Sequence, residues 1–346
     1  MINIISRSYL SNNVSGPQKV VKNFIKGLEA LGYPYVVNQR LDACRRLWIH
    51  DDVYALKFIK NLPSNIHVVI GPNLFIKPSN IPKNIDIKRA VFLYPSQWIK
   101  NFWVHFGYTG SAMEVWPAGI DTDDFYTSRV EKKLVMLYFK QRYREELKIV
   151  ENLLNDRHIE YKLIVYRKYD EKEFRDILTQ SKYGIWLGRQ ESQGIALEEA
   201  LACGVPLLVW DVDSLGHWDP PIKEKKLFTD EESGYKLATV AEYFDSTCGI
   251  KVTDSAHLGD ALETMEGEWK QFNPRQYILN NLDYKKQARD LLQVYHEYYG
   301  LDFESGFMEE IIWSGSWVND RFHFKMFVKL KDLIRNIINI WKNTIV

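Results

Sequence analysis

The chain has 346 residues, enough for two domains of roughly 150 residues each rather than one core. Its 45 Lys+Arg balance 45 Asp+Glu, and a formal net charge of zero argues against nucleic acid, which needs a concentrated basic face. Three widely spaced cysteines, Cys44, Cys203 and Cys248, form no zinc-spaced cluster and point to reduced thiols in a cytosolic compartment. The apolar run after Met1 is too short for a signal-peptide core, and no stretch nears the ~20 apolar residues of a membrane span.

Short β-rich runs alternate with amphipathic helices, the pattern of parallel α/β sheets. Ile2–Ile5 is the first strand. Pro17 opens a helix in which Val20, Val21, Phe24, Ile25, Leu28 and Leu31 recur at helical spacing up to Gly32. Strands are expected at 35–37, 47–50, 67–70, 90–94 and 113–116, with helices at 53–59 and 97–106. Residues 118–133 are polar and turn-rich and read as a linker. A second series starts with a strand at 134–139, then helix 143–154, strand 161–166, helix 171–180 and strand 184–187. A helix from Gly194, a strand at 207–210 and helices at 254–269 and 284–299 complete it. There is no internal repeat.

The segment from Glu191 to Pro206, Glu-Ser-Gln-Gly-Ile-Ala-Leu-Glu-Glu-Ala-Leu-Ala-Cys-Gly-Val-Pro, carries the chemistry. A helix entered through Gly194 presents unpaired N–H groups and the positive end of its dipole, which can hold a phosphate. Glu199, eight positions after Glu191, can accept hydrogen bonds from sugar hydroxyls. Anion site plus hydroxyl acceptor suits a nucleotide diphosphate-sugar. Ligands of open parallel sheets bind beyond the carboxyl ends of the strands, so two tandem domains imply a cleft between two such ends.

The Glu191…Glu199 spacing and the following Ala-Leu-Ala-Cys-Gly-Val-Pro resemble the Glu-x7-Glu motif of retaining glycosyltransferases of family 4 (group 1) with the GT-B fold. Val115-Trp116-Pro117-Ala118-Gly119-Ile120-Asp121-Thr122 is similar to that family's hinge-preceding motif. Ser15-Gly16-Pro17-Gln18-Lys19-Val20-Val21 is similar to its first loop and helix, and Tyr94-Pro95-Ser96-Gln97-Trp98-Ile99-Lys100 to a further motif. The resemblance spans about residues 1–300. It implies an α/β, GT-B architecture of two Rossmann-like domains with parallel sheets facing across a cleft, plus a C-terminal helical extension. An acceptor domain would cover residues 1–117, a linker 118–133 and a donor-binding domain 134–300. Residues 301–346 would form the helical extension, able to cross back to the first domain.

By the same resemblance, Glu199 takes the ribose hydroxyls. Glu191 and the backbone of Gln193, Gly194 and Ile195 contact the transferred sugar and the diphosphate. Lys140 and Arg142 stand where the family places a basic pair, at tighter spacing, and would neutralise the leaving diphosphate. Gly16 would let the first domain approach the same phosphates. A His often ends the strand corresponding to 67–70, but here Gly71-Pro72-Asn73 stands there. His50, ending the preceding strand, is the nearest candidate, as a catalytic or acceptor-site group or as a hydrogen-bonded structural histidine.

Asp211-Val212-Asp213 resembles a divalent-metal motif, but it follows the Glu-x7-Glu helix, where the GT-B pattern has no metal; a solvated loop is the expectation. Ser214 to Trp218 either lines the cleft or is a bare loop. Trp98, Trp103, Trp186 and Trp210 could stack on sugars, though their apolar-face positions favour core packing. In the tail at 321–342, Phe327, Leu330, Ile334, Ile337 and Trp341 lie opposite Lys325, Lys329, Lys331, Arg335 and Lys342. Such a basic amphipathic helix either lies on a membrane surface or packs against protein.

The reading is a retaining glycosyltransferase moving a sugar from a nucleotide diphosphate-sugar to a hydroxyl of a glycan or lipid-linked acceptor. It expects no cofactor and no metal, and a cytoplasmic place that could include the inner membrane face. A nucleotide-sugar epimerase on the same fold and an inactive, membrane-tethered sugar-nucleotide-binding module stay open.

Overall fold

Alternating apolar strands build two all-parallel sheets, one in each half of the chain. The computed structural model describes residues 1–11 and 15–308; the helix expected at 321–342 lies outside the described residues. The first sheet holds β1 (Ile2–Ile5), β2 (Tyr35–Val37), β3 (Arg46–Ile49), β4 (His67–Ile70), β5 (Ala90–Tyr94) and β6 (Ala112–Val115), in the order β2-β1-β3-β4-β5-β6. The second holds β7 (Leu134–Lys140), β8 (Tyr161–Val165), β9 (Ser181–Gly188), β10 (Leu207–Trp210) and β11 (Gly249–Val252), in the order β11-β10-β9-β7-β8. The helices are α1 (Gly16–Ala30), α2 (Gln97–His105), α3 (Arg144–Asp156), α4 (Glu171–Gln180), α5 (Ile195–Ala202), α6 (Asp230–Ser233), α7 (Leu258–Glu268), α8 (Pro274–Asn281) and α9 (Tyr284–Tyr299).

The inner strands β1, β3, β5 and β10 are buried along their whole length, as parallel strands covered by helices must be, whereas the outer strands β2, β6, β8 and β11 are partly exposed. Successive residues alternate between faces. In β3, Leu47 and Ile49 join Val68, Ile70, Phe92 and Tyr94 on one side. Trp48 turns to the other, with Ile2, Ile4, Val69 and Val91. In the second sheet Met136, Tyr138 and Trp186 share one face, while Val135, Leu137 and Ile185 share the opposite one.

Local signals mark the helix ends. The Ser15 side chain caps α1 by accepting from Gln18 N, Pro17 stands in its first turn, and Gly32 at φ 64° ends it. Gly194 enters α5 at φ 107°, and Gly204 follows its end at φ 68°. The helix expected at 53–59 is a 3-10 stretch, Ala55–Asn61. Strand β11 and helix α8 carried too little apolar periodicity to be read. Gly249 opens β11 at φ 141° with its Cα packed on the Leu207 backbone, where a Cβ would meet the carbonyl oxygen at 2.1 Å.

The chain returns to the first domain at α9, earlier than the expected boundary at 300. Ile120 N donates to Leu282 O at 2.7 Å, and Tyr284 N donates back to Ile120 O at 3.1 Å. Ala288, Leu291, Leu292 and Tyr295 then join the core of α1 and the first sheet. Two glycines permit this approach: a Cβ on Gly27 would stand 2.5 Å from Ala288 Cβ, and one on Gly119 2.5 Å from Tyr284 Cα. Gly27→Ala is therefore expected to push α1 and α9 apart and to cost about 1–3 kcal/mol, as overpacked cores do. Urea unfolding measures this; an unchanged midpoint would refute the tight helix contact.

A second crossing is a long strap, residues 211–248, between β10 and β11. Its Leu215, Tyr235 and Ala238 belong to the core beneath the first sheet, and Phe228 packs against that core. Lys77 of the first domain pairs with Glu232 of the strap at 2.6 Å. Glu242 accepts from the backbone N–H groups of Gln97 and Trp98, at 3.0 and 3.3 Å, and so caps α2 from the other domain.

Candidate active site

The residues that follow β4, β5 and β9 line one cavity of about 530 Å³ between the domains. Strand order reverses direction between β1 and β3 in the first sheet and between β7 and β9 in the second. Such switch points open crevices at the carboxyl ends of strands, and of the expected site residues Lys140, Glu191 and the start of α5 lie at the second one.

Lys140 ends β7 and Glu191 follows β9, and the two form a salt bridge at the second switch point. The Lys140 ammonium also lies 4.3 Å from the centre of the Tyr166 ring. Glu191 lines the cavity, and its carbonyl accepts from Trp98 Nε1 at 3.0 Å. Trp98 thus ties the first domain to the segment that follows β9, whereas Trp186 stacks on Tyr138 at 3.9 Å within the core.

Helix α5 starts beside this pair, and no side chain caps its first turn. Gln193 does more than offer backbone. Its amide accepts from Ala118 N at 2.8 Å and donates to Ala118 O at 2.9 Å and to Glu198 at 2.8 Å, so it pins the linker to α5. Ile195 begins the helix between the two cores, touching both. Gly16 begins α1 across the cleft, and a Cβ there would meet nothing within 4 Å.

Glu199 is buried and does not stand alone. Lys19 of α1 reaches across from the first domain, with Nζ 2.6 Å and 2.9 Å from the two carboxylate oxygens, and it also pairs with Glu171 at 2.9 Å. Burial pushes the Glu199 carboxyl up to about 7, against the opposing pull of Lys19. Burial alone would lower the Lys19 ammonium, but Glu199 and Glu171 hold it above its ordinary value. A cation from one domain thus sits on the carboxylate expected to receive sugar hydroxyls in the other.

Arg142 does not face the cleft. Its guanidinium is fully buried and fully committed: Nε and one terminal nitrogen meet Glu146, and the other terminal nitrogen donates to Gly188 O and Trp210 O at 3.1 and 2.9 Å. His217 stands 3.3 Å from the same group. These partners leave no donor for a phosphate, so Arg142 braces the ends of β9 and β10. The sequence placed it correctly near the first strand of the domain, but two residues past Lys140 its side chain takes the other direction.

His50 is fully buried and is not among the residues lining the cavity. Its Nε2 lies 3.0 Å from the Pro17 carbonyl and 3.4 Å from Asn73 Nδ2. Burial holds its pKa below the ordinary value, so the imidazole is neutral at pH 7. It joins the end of β3 to the start of α1. The solvated loop expected at Asp211–Asp213 holds for Asp213 only: Asp211 is buried and accepts from Thr239 Oγ1 at 2.6 Å and Val240 N at 2.7 Å, which fastens the strap.

Sequence reasoning missed Lys19, Arg189, Gln190 and Glu198. Lys19 lay inside the first-helix motif and Gln190 beside Glu191, but nothing local said which way they face. Arg189 lines the cavity with its guanidinium 5.2 Å from the Trp218 ring centre. Glu198 is wholly buried. One of its oxygens accepts from Gln193, and the other finds no partner among the described residues.

No protein-family model matches the chain, and no curated protein matches its sequence. Solved structures do match its shape. A sucrose-phosphate synthase from Thermosynechococcus elongatus is 12% identical with a TM-score of 0.52, over 86% of this chain and 99% of that one. HepE of Anabaena in complex with UDP is similar at 12% identity and a TM-score of 0.52, again over 86% and 99% of the two chains. The fold is GT-B. In that frame the cavity, the Lys140–Glu191 pair and the start of α5 occupy the cleft between the two sheets. Among the described residues no helix is long and apolar enough to cross a membrane.

Proposed function

We propose that this protein is a retaining glycosyltransferase that moves a sugar from a nucleoside diphosphate-sugar to an acceptor hydroxyl. The observation that carries the reading is the entry of α5 through Gly194 at the second switch point, with Glu199 one turn further in and α1 of the other domain opposite. HepE, similar in fold, was solved with UDP, a nucleoside diphosphate, which supports a ligand of this class.

The roles follow from chemistry. Open N–H groups of the first turn of α5 receive the diphosphate. Glu199 accepts from the ribose hydroxyls once Lys19 yields. Lys140 lies where negative charge grows as the bond between the anomeric carbon and the phosphate oxygen breaks, and a fixed cation there lowers the barrier. Glu191 holds Lys140 and faces the transferred sugar. The acceptor oxygen bonds to the anomeric carbon, and its proton passes to the leaving phosphate oxygen, so no side-chain nucleophile is needed. Closure of the two domains over the donor would exclude water and so limit donor hydrolysis.

Incubation with an α-linked UDP-, GDP- or ADP-sugar and an acceptor panel is expected to give an α-linked product by NMR, at full rate in chelator. A β-linked product would remove the retaining assignment. Loss of rate in chelator, restored by a divalent ion, would remove the metal-free one.

A further inference from the structure

The cavity is chemically two-sided. The polar end is built from the segment after β9, with Arg189, Gln190, Glu191 and Ser192. The other end is a wall of Leu74, Phe75, Ile76, Ile99 and Phe102 from the first domain, closed by Phe228 of the strap. None of these wall side chains carries a hydrogen-bonding group. A sugar ring needs partners for each hydroxyl that it buries, so this wall suits a hydrocarbon surface instead.

The polar end holds unused hydrogen-bonding capacity. Gln190 is 2% exposed, and neither atom of its side-chain amide has a partner among the described residues. Arg189 Nε is in the same condition. A buried amide without partners is unfavourable, and such groups call for an explanation. An amide offers one acceptor and two donors, which matches a hydroxyl that both donates and accepts. Glu191 beside it is already engaged by Lys140.

The apolar end opens toward solvent through residues that remain apolar. Ile76 at its edge is 53% exposed. Ile222, in the strap turn that brings Glu224 to the cavity, is 86% exposed, with Lys223, Lys225 and Lys226 exposed around it.

We propose that the acceptor is an amphiphile, a hydroxyl-bearing head joined to an aliphatic body, with the head at Gln190 and the body along the Phe75–Ile99–Phe228 wall. This rests on the glycosyl-transfer reading above and assigns its substrate class. Gln190 is the group that positions the head beside Glu191, where the transferred sugar arrives. The strap is what makes the wall complete, since Phe228 comes from the donor-side domain. The exposed isoleucines and lysines at the mouth carry the body outward.

The test is calorimetry with methyl β-D-glucopyranoside and n-octyl β-D-glucopyranoside, the latter below its micelle concentration. Burial of three or four methylenes is worth roughly fiftyfold to two-hundredfold in affinity. The octyl compound is expected to bind one-to-one and at least about tenfold more tightly than the methyl compound. Phe228→Ser and Ile76→Ser each reduce that advantage without changing the methyl affinity. Ile76 is more than half exposed, so its variant keeps the test valid if Phe228→Ser unfolds. Gln190→Ala weakens both ligands alike. Equal affinity for the two compounds, no saturable octyl binding, or an octyl advantage untouched in Ile76→Ser would overturn the proposal. Titration with UDP-, GDP- and ADP-glucose separates the two readings. Nucleotide-sugar binding without an octyl preference overturns the amphiphilic acceptor alone. An octyl preference lost in Ile76→Ser, with no nucleotide-sugar bound, supports the amphiphile site and overturns the donor reading.

Discussion

A Glu199→Ala variant is expected to lose nucleoside diphosphate-sugar affinity by about a hundredfold or more while keeping its fold. Each hydrogen bond to a charged carboxylate contributes about 1.5–3 kcal/mol, and a ribose offers two hydroxyls. The fold survives because Lys19 keeps Glu171 at 2.9 Å when Glu199 is removed. The wild-type protein adds a pH signature. Hydroxyl donors prefer the ionised carboxylate, and burial, opposed by Lys19, places the Glu199 carboxyl at about 7. Donor affinity is therefore expected to rise between pH 6 and pH 8 and then to level off. Glu199→Gln keeps the shape, loses the charge and flattens that profile. Calorimetry at pH 6, 7 and 8 reads both effects; an unchanged affinity in Glu199→Ala would sink the assignment of the donor site.

The second large effect concerns stability. Glu198 is wholly buried, and burial pushes its carboxyl up to about 8, against the hydrogen bond from Gln193 and with Glu199 and Glu191 adding to the rise. The unfolded chain ionises this group near 4.5, while the folded chain keeps the proton until about pH 8. Between those values the folded state binds more protons. Its stability is therefore complete below pH 4.5 and falls as pH rises through 8, at up to ~1.4 kcal/mol per pH unit for one group. Glu199 adds a slope of the same sign up to about 7. Glu198→Gln removes one of the two slopes. It is expected to raise the melting temperature at pH 8 by roughly 5 °C and to leave it unchanged at pH 4.5. A wild-type and a variant that melt in parallel across this range would show that Glu198 is ionised in the fold.

Much of the architecture was legible because it is local. Runs such as Val68-Val69-Ile70 and Leu207-Leu208-Val209 are buried on both faces and need no partner information to be read as strands. Glycines at 32, 194 and 204 carry positive φ values, which is why they punctuated the sequence so clearly. The missed elements lack such signals. In β11, Gly-Ile-Lys-Val is too short and too mixed to declare itself, and it forms because β10 offers an open edge. The strap read as irregular loop because Leu215, the Leu227-Phe228 pair and Tyr235 interrupt a polar stretch without periodicity; only the core under the first sheet gives Leu215, Phe228 and Tyr235 a common face.

The sequence by itself determined two parallel α/β units, the glycine-entered helix and the carboxylate pair Glu191 and Glu199, because spacing along one chain segment sets these. The tertiary structure decided what each group faces. It turned Arg142 inward onto Glu146, buried His50 under Pro17, and set Lys19 against Glu199 across 180 residues of chain. It also joined Gln190 to an apolar wall drawn from both domains. Side-chain direction at a strand end and pairing between domains depend on contacts far apart in sequence, and periodicity carries no record of them.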